Sequence, residues 1–141
     1  MKFIVLFIAC LLYGPADVRA QVAVIAHRDV PADTVASAQL LDFYTGDLKF
    51  WKDGTPIVAL DLKPKSAIKK AFYKFLGKSS ARMKSIWLKR LLSGEGDPPE
   101  AFKSEEELLR KVAATPGAVG FVAREKVDGK VKILAIIEEN K

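Results

Sequence analysis

The stretch PIVALDLKPKSAIKKAFYKFLG, residues 56–77, decides how this chain folds. Ile57-Val58-Ala59-Leu60 is apolar on both faces, the pattern of a strand in the interior of a sheet. After it the period changes. Ala67, Ile68, Ala71, Phe72, Phe75 and Leu76 fall on one face of a helix, while Lys69, Lys70, Lys74 and Lys78 fall largely on the other. Gly77 supplies the stop, since glycine readily takes the left-handed conformation that ends helices. An interior strand followed by an amphipathic helix points to α/β layering.

The flanking sequence agrees. Gln21 to His27 is rich in Val and Ile and reads as a buried strand, broken by Arg28-Asp29-Val30-Pro31. Ser37 through Tyr44 places Leu40, Leu41 and Tyr44 at helical spacing, with Gly46 just beyond. Trp51-Lys52-Asp53-Gly54-Thr55-Pro56 reads as a turn. Ser79 or Ser80 can cap a further helix whose apolar stripe is Met83, Ile86, Trp87 and Leu91. Residues 93–99 read as a loop. Ser104-Glu105-Glu106-Glu107 matches a capping box, and Leu108, Leu109, Val112 and Ala113 carry that helix to Thr115-Pro116-Gly117. Ala118–Val122 and Val131–Ile137 read as strands separated by a turn at Asp128-Gly129. The order β-α-β-α-α-α-β-β predicts an α/β fold: a mixed sheet with some parallel pairing, flanked by helices.

Composition sets the compartment and removes several function classes. Residues 1–20 have the form of a cleaved signal peptide: Lys2, an apolar run from Phe3 to Tyr13, and small residues at Val18 and Ala20 before Gln21. Cys10 also invites a lipoprotein reading, but Phe7 fits that motif poorly and the apolar run continues past it. Residues 21–141 are then expected to form a single domain, exported to the periplasm, without cysteine and without a transmembrane anchor. Removing the leader leaves 21 basic against 16 acidic residues, a net charge of +5. Ten basic residues and no acidic one lie between Lys63 and Arg90, and acids gather between Glu95 and Glu107. Such a polarised surface suits an anion or an acidic partner.

Catalytic chemistry has little to stand on. The single Cys and single His offer no metal-ligand spacing and no nucleophile–base pair. No enzyme activity, cofactor or metal site is expected. His27 reads as a solvated residue at a strand end, Trp51 and Trp87 as core or surface anchors, and Gly117 and Gly120 as requirements of a tight turn. Anionic lipid is a further possible partner for the basic stretch; export argues against nucleic acid, and the aromatic residues fall on the apolar faces rather than among the lysines.

Four segments in order carry a family resemblance. Phe43-Tyr44-Thr45-Gly46-Asp47-Leu48-Lys49-Phe50-Trp51 resembles the F-x-G-K-x-x-x-W segment of the phosphate-binding proteins of ABC transporters. The strand Pro56-Ile57-Val58-Ala59-Leu60 follows, as it does there. Ser66-Ala67-Ile68-Lys69-Lys70-Ala71-Phe72 sits where that family has S-G-T-R-x-x-F, and Thr115-Pro116-Gly117-Ala118-Val119-Gly120-Phe121 is similar to its N-P-G-A-I-G-Y. The resemblance implies one lobe of a type II periplasmic-binding-protein fold, whose complete members close two lobes on a ligand.

It also implies an anion-binding segment at Lys65, Ser66 and Lys69, where a helix N-terminus offers hydroxyl and backbone donors. The pattern is altered there. Lys65 and Ala67 replace glycines, Ile68 replaces the threonine, and Lys69 replaces the arginine, a point charge in place of a fork. Ser66 also reads simply as a helix cap. The expectation is therefore an exported, non-catalytic solute-binding-like protein with at most weak contact to phosphate or another small anion. The alternative is a periplasmic interaction module, a homodimer or an accessory to an exported or membrane protein.

Overall fold

The computed structural model describes residues 21–138; the leader assigned to residues 1–20 lies outside them. The elements are β1 (Gln21–His27), α1 (Ser37–Thr45), β2 (Val58–Leu62), α2 (Ala67–Leu76), α3 (Ser80–Leu92), β3 (Glu100–Phe102), α4 (Glu105–Ala114), β4 (Ala118–Ala123) and β5 (Val131–Glu138), with a short 3₁₀ turn at Arg124–Lys126. One five-stranded sheet runs β3-β2-β4-β1-β5. β2 is parallel to β3 and β4, whereas β1 is antiparallel to β4 and β5. The sheet is mixed and flanked by helices.

The central strands are buried because both faces are covered. Gly120 and Phe121 are successive residues of β4 and so point to opposite sides. Phe121 stacks on Phe72 of α2 at 4.0 Å between ring centres, and Tyr44 of α1 meets Phe72 edge-on at 4.9 Å. On the other side α4 presses so closely that a Cβ on Gly120 would lie 2.7 Å from Leu108 Cδ2. Gly120 therefore serves helix–sheet packing rather than the expected turn. Gly117 does serve the turn: its φ is +81°, and a Cβ there would lie 2.2 Å from the Pro56 carbonyl oxygen. That approach lets the Gly117 carbonyl accept from Val58 N (3.1 Å) and Trp51 Nε1 (2.9 Å).

Tyr44 completes the ladder where β2 and β4 part. Their pairing ends at Ala59 opposite Val119, and the Tyr44 hydroxyl donates to the next β2 carbonyl, Leu60 O, at 2.7 Å. Burial, reinforced by Asp61 and Tyr73, raises the Tyr44 pKa well above its ordinary value, which keeps this donor protonated.

Four further expectations need correction. The expected order left out β3, which follows the loop at 93–99 and forms because its three residues pair with β2 from Leu60–Glu100 to Leu62–Phe102. His27 is buried, not solvated, and its Nδ1 accepts from Asp29 N at 3.1 Å. Leu91 lies outside the buried stripe of α3, 47 % exposed. Lys69 does not lie on the wet face of α2; it is buried.

Candidate functional site

β2 and β3 end side by side, with Lys63 N donating to Phe102 O at 2.9 Å, and a helix starts after each. Lys63-Pro64-Lys65-Ser66 turns the chain into α2 through Ser66 N to Lys63 O (3.2 Å). Ser66 is the N-cap: its backbone is extended and its Oγ accepts from Lys69 N at 3.2 Å. The Ala67 and Ile68 amides, orphaned at a helix start, have no acceptor among the described residues. No acid occupies the first turn of α2. Lys63 and Lys65 are exposed beside it, without an ion-pair partner among the described residues.

The structure therefore separates the three residues assigned to anion binding. Lys65 and Ser66 stand at the helix N-terminus. Lys69, one turn in, sends its ammonium back toward the sheet, 3.3 Å from the Asp61 carboxylate, 3.0 Å from Leu62 O and 4.9 Å from the centre of the Tyr73 ring. The Tyr73 hydroxyl donates to Asp61 Oδ2 at 2.5 Å, and Leu62 N donates to Oδ1 at 2.8 Å. Burial, then the Asp61 charge, pushes the Tyr73 phenol far above its usual range, so it remains a donor. Every polar group in this buried cluster has a partner, as the low-dielectric interior requires.

Asp61 was not singled out by sequence reasoning. The signal was present: one carboxylate inside the apolar run Val58–Leu62, and Lys69 and Tyr73 four residues apart, hence on one helix face. What linear spacing does not give is the turn that folds this face back over β2.

The ten-cation stretch is partly neutralised in three dimensions. Lys69 pairs with Asp61, and Arg90 pairs with Asp47 and Glu95. Lys70, Lys74, Lys84 and Lys89 stay exposed on α2 and α3. Trp51 is a core anchor; Trp87 is half-buried and ties α3 to α1 through Nε1 to Tyr44 O at 2.8 Å. Among the described residues no cluster of His, Cys, Asp and Glu could hold a metal ion, and no helix is long and apolar enough to cross a membrane.

No protein-family model matches the chain, and no curated protein matches it. Solved structures do. A Clostridium perfringens protein, assigned as a phosphate ABC transporter substrate-binding protein and carrying bound phosphate, superposes with a TM-score of 0.68 at 21 % identity, over 82 % of this chain and 45 % of its own. An ABC-type phosphate transport receptor from Vibrio cholerae gives 0.65 at 19 % identity, over 82 % and 46 %. PstS from Borrelia burgdorferi gives 0.61 at 14 % identity, over 83 % and 48 %. This chain thus spans a little under half the length of each, and its five-stranded mixed sheet with flanking helices matches part of a periplasmic-binding-protein-like fold.

Proposed function

We propose that this chain is an exported, non-catalytic, solute-binding-like domain that makes weak contact with phosphate or a similar small anion at the start of α2. The observation that carries the reading is a helix N-terminus with free amides at Ala67 and Ile68, no acid in its first turn and uncompensated lysines beside it. An anion there meets aligned N–H groups and the positive end of the helix dipole. Ser66 keeps its O–H free to donate while its oxygen caps the helix, and Lys65 adds charge. Lys69 acts indirectly, by fixing α2 on Asp61. The contact is weak because one lobe covers a ligand from one side, whereas tight small-molecule sites bury most of the ligand surface. The likeness in fold to substrate-binding proteins supports the non-catalytic role, and the leader supports a periplasmic location.

Thermal unfolding in phosphate tests this, with chloride added to equal ionic strength. A ligand binding only the folded state adds about 1.4 kcal/mol at roughly ten times its dissociation constant, which raises Tm by several degrees for a domain of this size. Phosphate in the tens of millimolar is expected to raise Tm at low salt, and Lys65→Glu to abolish the rise. Identical melting in phosphate and chloride would refute the reading.

A second reading, a periplasmic interaction module or homodimer, is favoured by Leu92, which ends α3 at 81 % exposure. Light scattering decides it: a monomer mass at high concentration removes the homodimer.

A further inference from the structure

A cleft opens along α3 and borders the turn into α2 through Lys63 and Pro64. Its volume is ≈ 520 Å³, within the range of small-molecule sites. α3 lines it through Trp87, Leu88 and Leu91, and the loop before β3 lines it through Pro98 and Pro99. Prolines carry no N–H, so that side offers few donors and a fixed apolar surface. Leu88 and Leu91 are 59 % and 47 % exposed, large apolar side chains turned to an open cavity rather than to the core.

The unpaired charge in the cleft has one sign. Asp61 lines the cleft, but this carboxylate is already held by Lys69 and Tyr73 and is balanced by the Lys69 ammonium. Lys63 and Lys84 also line the cleft, both exposed and with no ion-pair partner among the described residues. The remaining field is positive beside an apolar trough. An amine would be repelled, and a bare inorganic anion would leave the leucine and proline surface wet.

We propose that this cleft binds a small organic carboxylate with an apolar body, the carboxylate at Lys63 and Lys84 and the body between α3 and Pro98-Pro99. This goes beyond anion contact at α2: it shares Lys63 with that terminus and adds Lys84 and the apolar surface of Leu88, Leu91 and Pro98-Pro99.

Phenylacetate is a suitable probe, with 2-phenylethanol keeping the body and acetate or phosphate keeping only charge. Trp87 is the reporter: its indole N–H is fixed on Tyr44 O, while the protein's other tryptophan, Trp51, sits on Gly117 O and does not line this cleft. In ¹H–¹⁵N spectra phenylacetate is expected to shift the Trp87 indole resonance saturably, with a dissociation constant below about 1 mM. 2-Phenylethanol and acetate should each bind about tenfold more weakly or worse. Lys84→Glu and Leu88→Asp, both at exposed positions, should each weaken phenylacetate by about tenfold while the rest of the spectrum stays native.

A non-saturating shift, equal binding of acetate and phenylacetate, or wild-type affinity in both variants would overturn the proposal. Phosphate perturbing the Ser66 and Ala67 amides while phenylacetate leaves Trp87 unmoved sinks this inference and spares the anion contact at α2. The reverse pattern spares this inference and sinks that contact.

Discussion

The N-termini of α2 and α4 stand at the same end of the sheet, after parallel strands, and each begins with a serine cap: Ser66 Oγ accepts from Lys69 N and Ser104 Oγ from Glu107 N, both at 3.2 Å. Their charges are opposite. α4 carries Glu105, Glu106 and Glu107 in its first turn, and the first two are already employed. Glu105 accepts from Ala123 N at 2.6 Å and pairs with Lys126, which also bonds Glu106 at 2.8 Å. The positive end of α4 is thus satisfied from within and tied to β4. α2 has no such acid, and the nearest carboxylate, Asp61, holds Lys69 from below instead. Identical caps therefore lead to one terminus neutralised by its own acids and one with no acid in its first turn. The neighbouring charges make the difference.

The largest effect comes from breaking the support under α2. Lys69→Met leaves Asp61 buried with a charge and no counter-ion, which should cost about 3–5 kcal/mol of stability in urea unfolding. The double variant Asp61→Leu/Lys69→Met removes both charges and should recover much of that loss, as apolar replacements of buried pairs do. A fully exposed pair would show neither behaviour.

The caps give the next effect. Ser66→Ala and Ser104→Ala should each lose about 1 kcal/mol, read from chemical unfolding. The two variants should then diverge in phosphate. The phosphate-linked rise in Tm is lost in Ser66→Ala and kept in Ser104→Ala, because an anion has no place at the acidic terminus.

The smallest effect is a pH dependence at α4. The Lys126 hydrogen bond holds the Glu106 carboxyl below its ordinary value of 4.5. A lowered folded-state value means that the stabilisation is present above 4.5 and is lost as the pH falls through the folded value. Melting curves across this range should show a shallower acid limb in Glu106→Gln than in the wild type. The matching contribution of Lys126, whose value is raised above 10.5, is present below that pH and lost in stronger alkali.

Much of this contrast was legible in the residues. Ser66 and Ser104 as caps, the acids following Ser104 and the glycine stop at Gly77 are local features, formed within one turn of helix. Lys69 was misplaced because helical spacing alone sets it beside Lys70 and Lys74, and its stem and ammonium turn instead toward a carboxylate eight positions earlier. β3 was invisible because three residues carry no periodicity, and its backbone is ordered by pairing with β2. Leu91, exposed on α3, was placed in the apolar stripe because a stripe gives the direction of an apolar face without showing what it meets.

By itself the sequence determined the longer elements, the helix caps and the α/β layering, because side-chain period and capping act over a few residues. The tertiary structure alone decided that β1 lies antiparallel between β4 and β5, that Gly117 admits the Pro56 carbonyl, and that Asp61 takes Lys69 away from the surface. These depend on segments distant in the chain meeting in a low-dielectric interior, where a buried charge must find its partner by position in space.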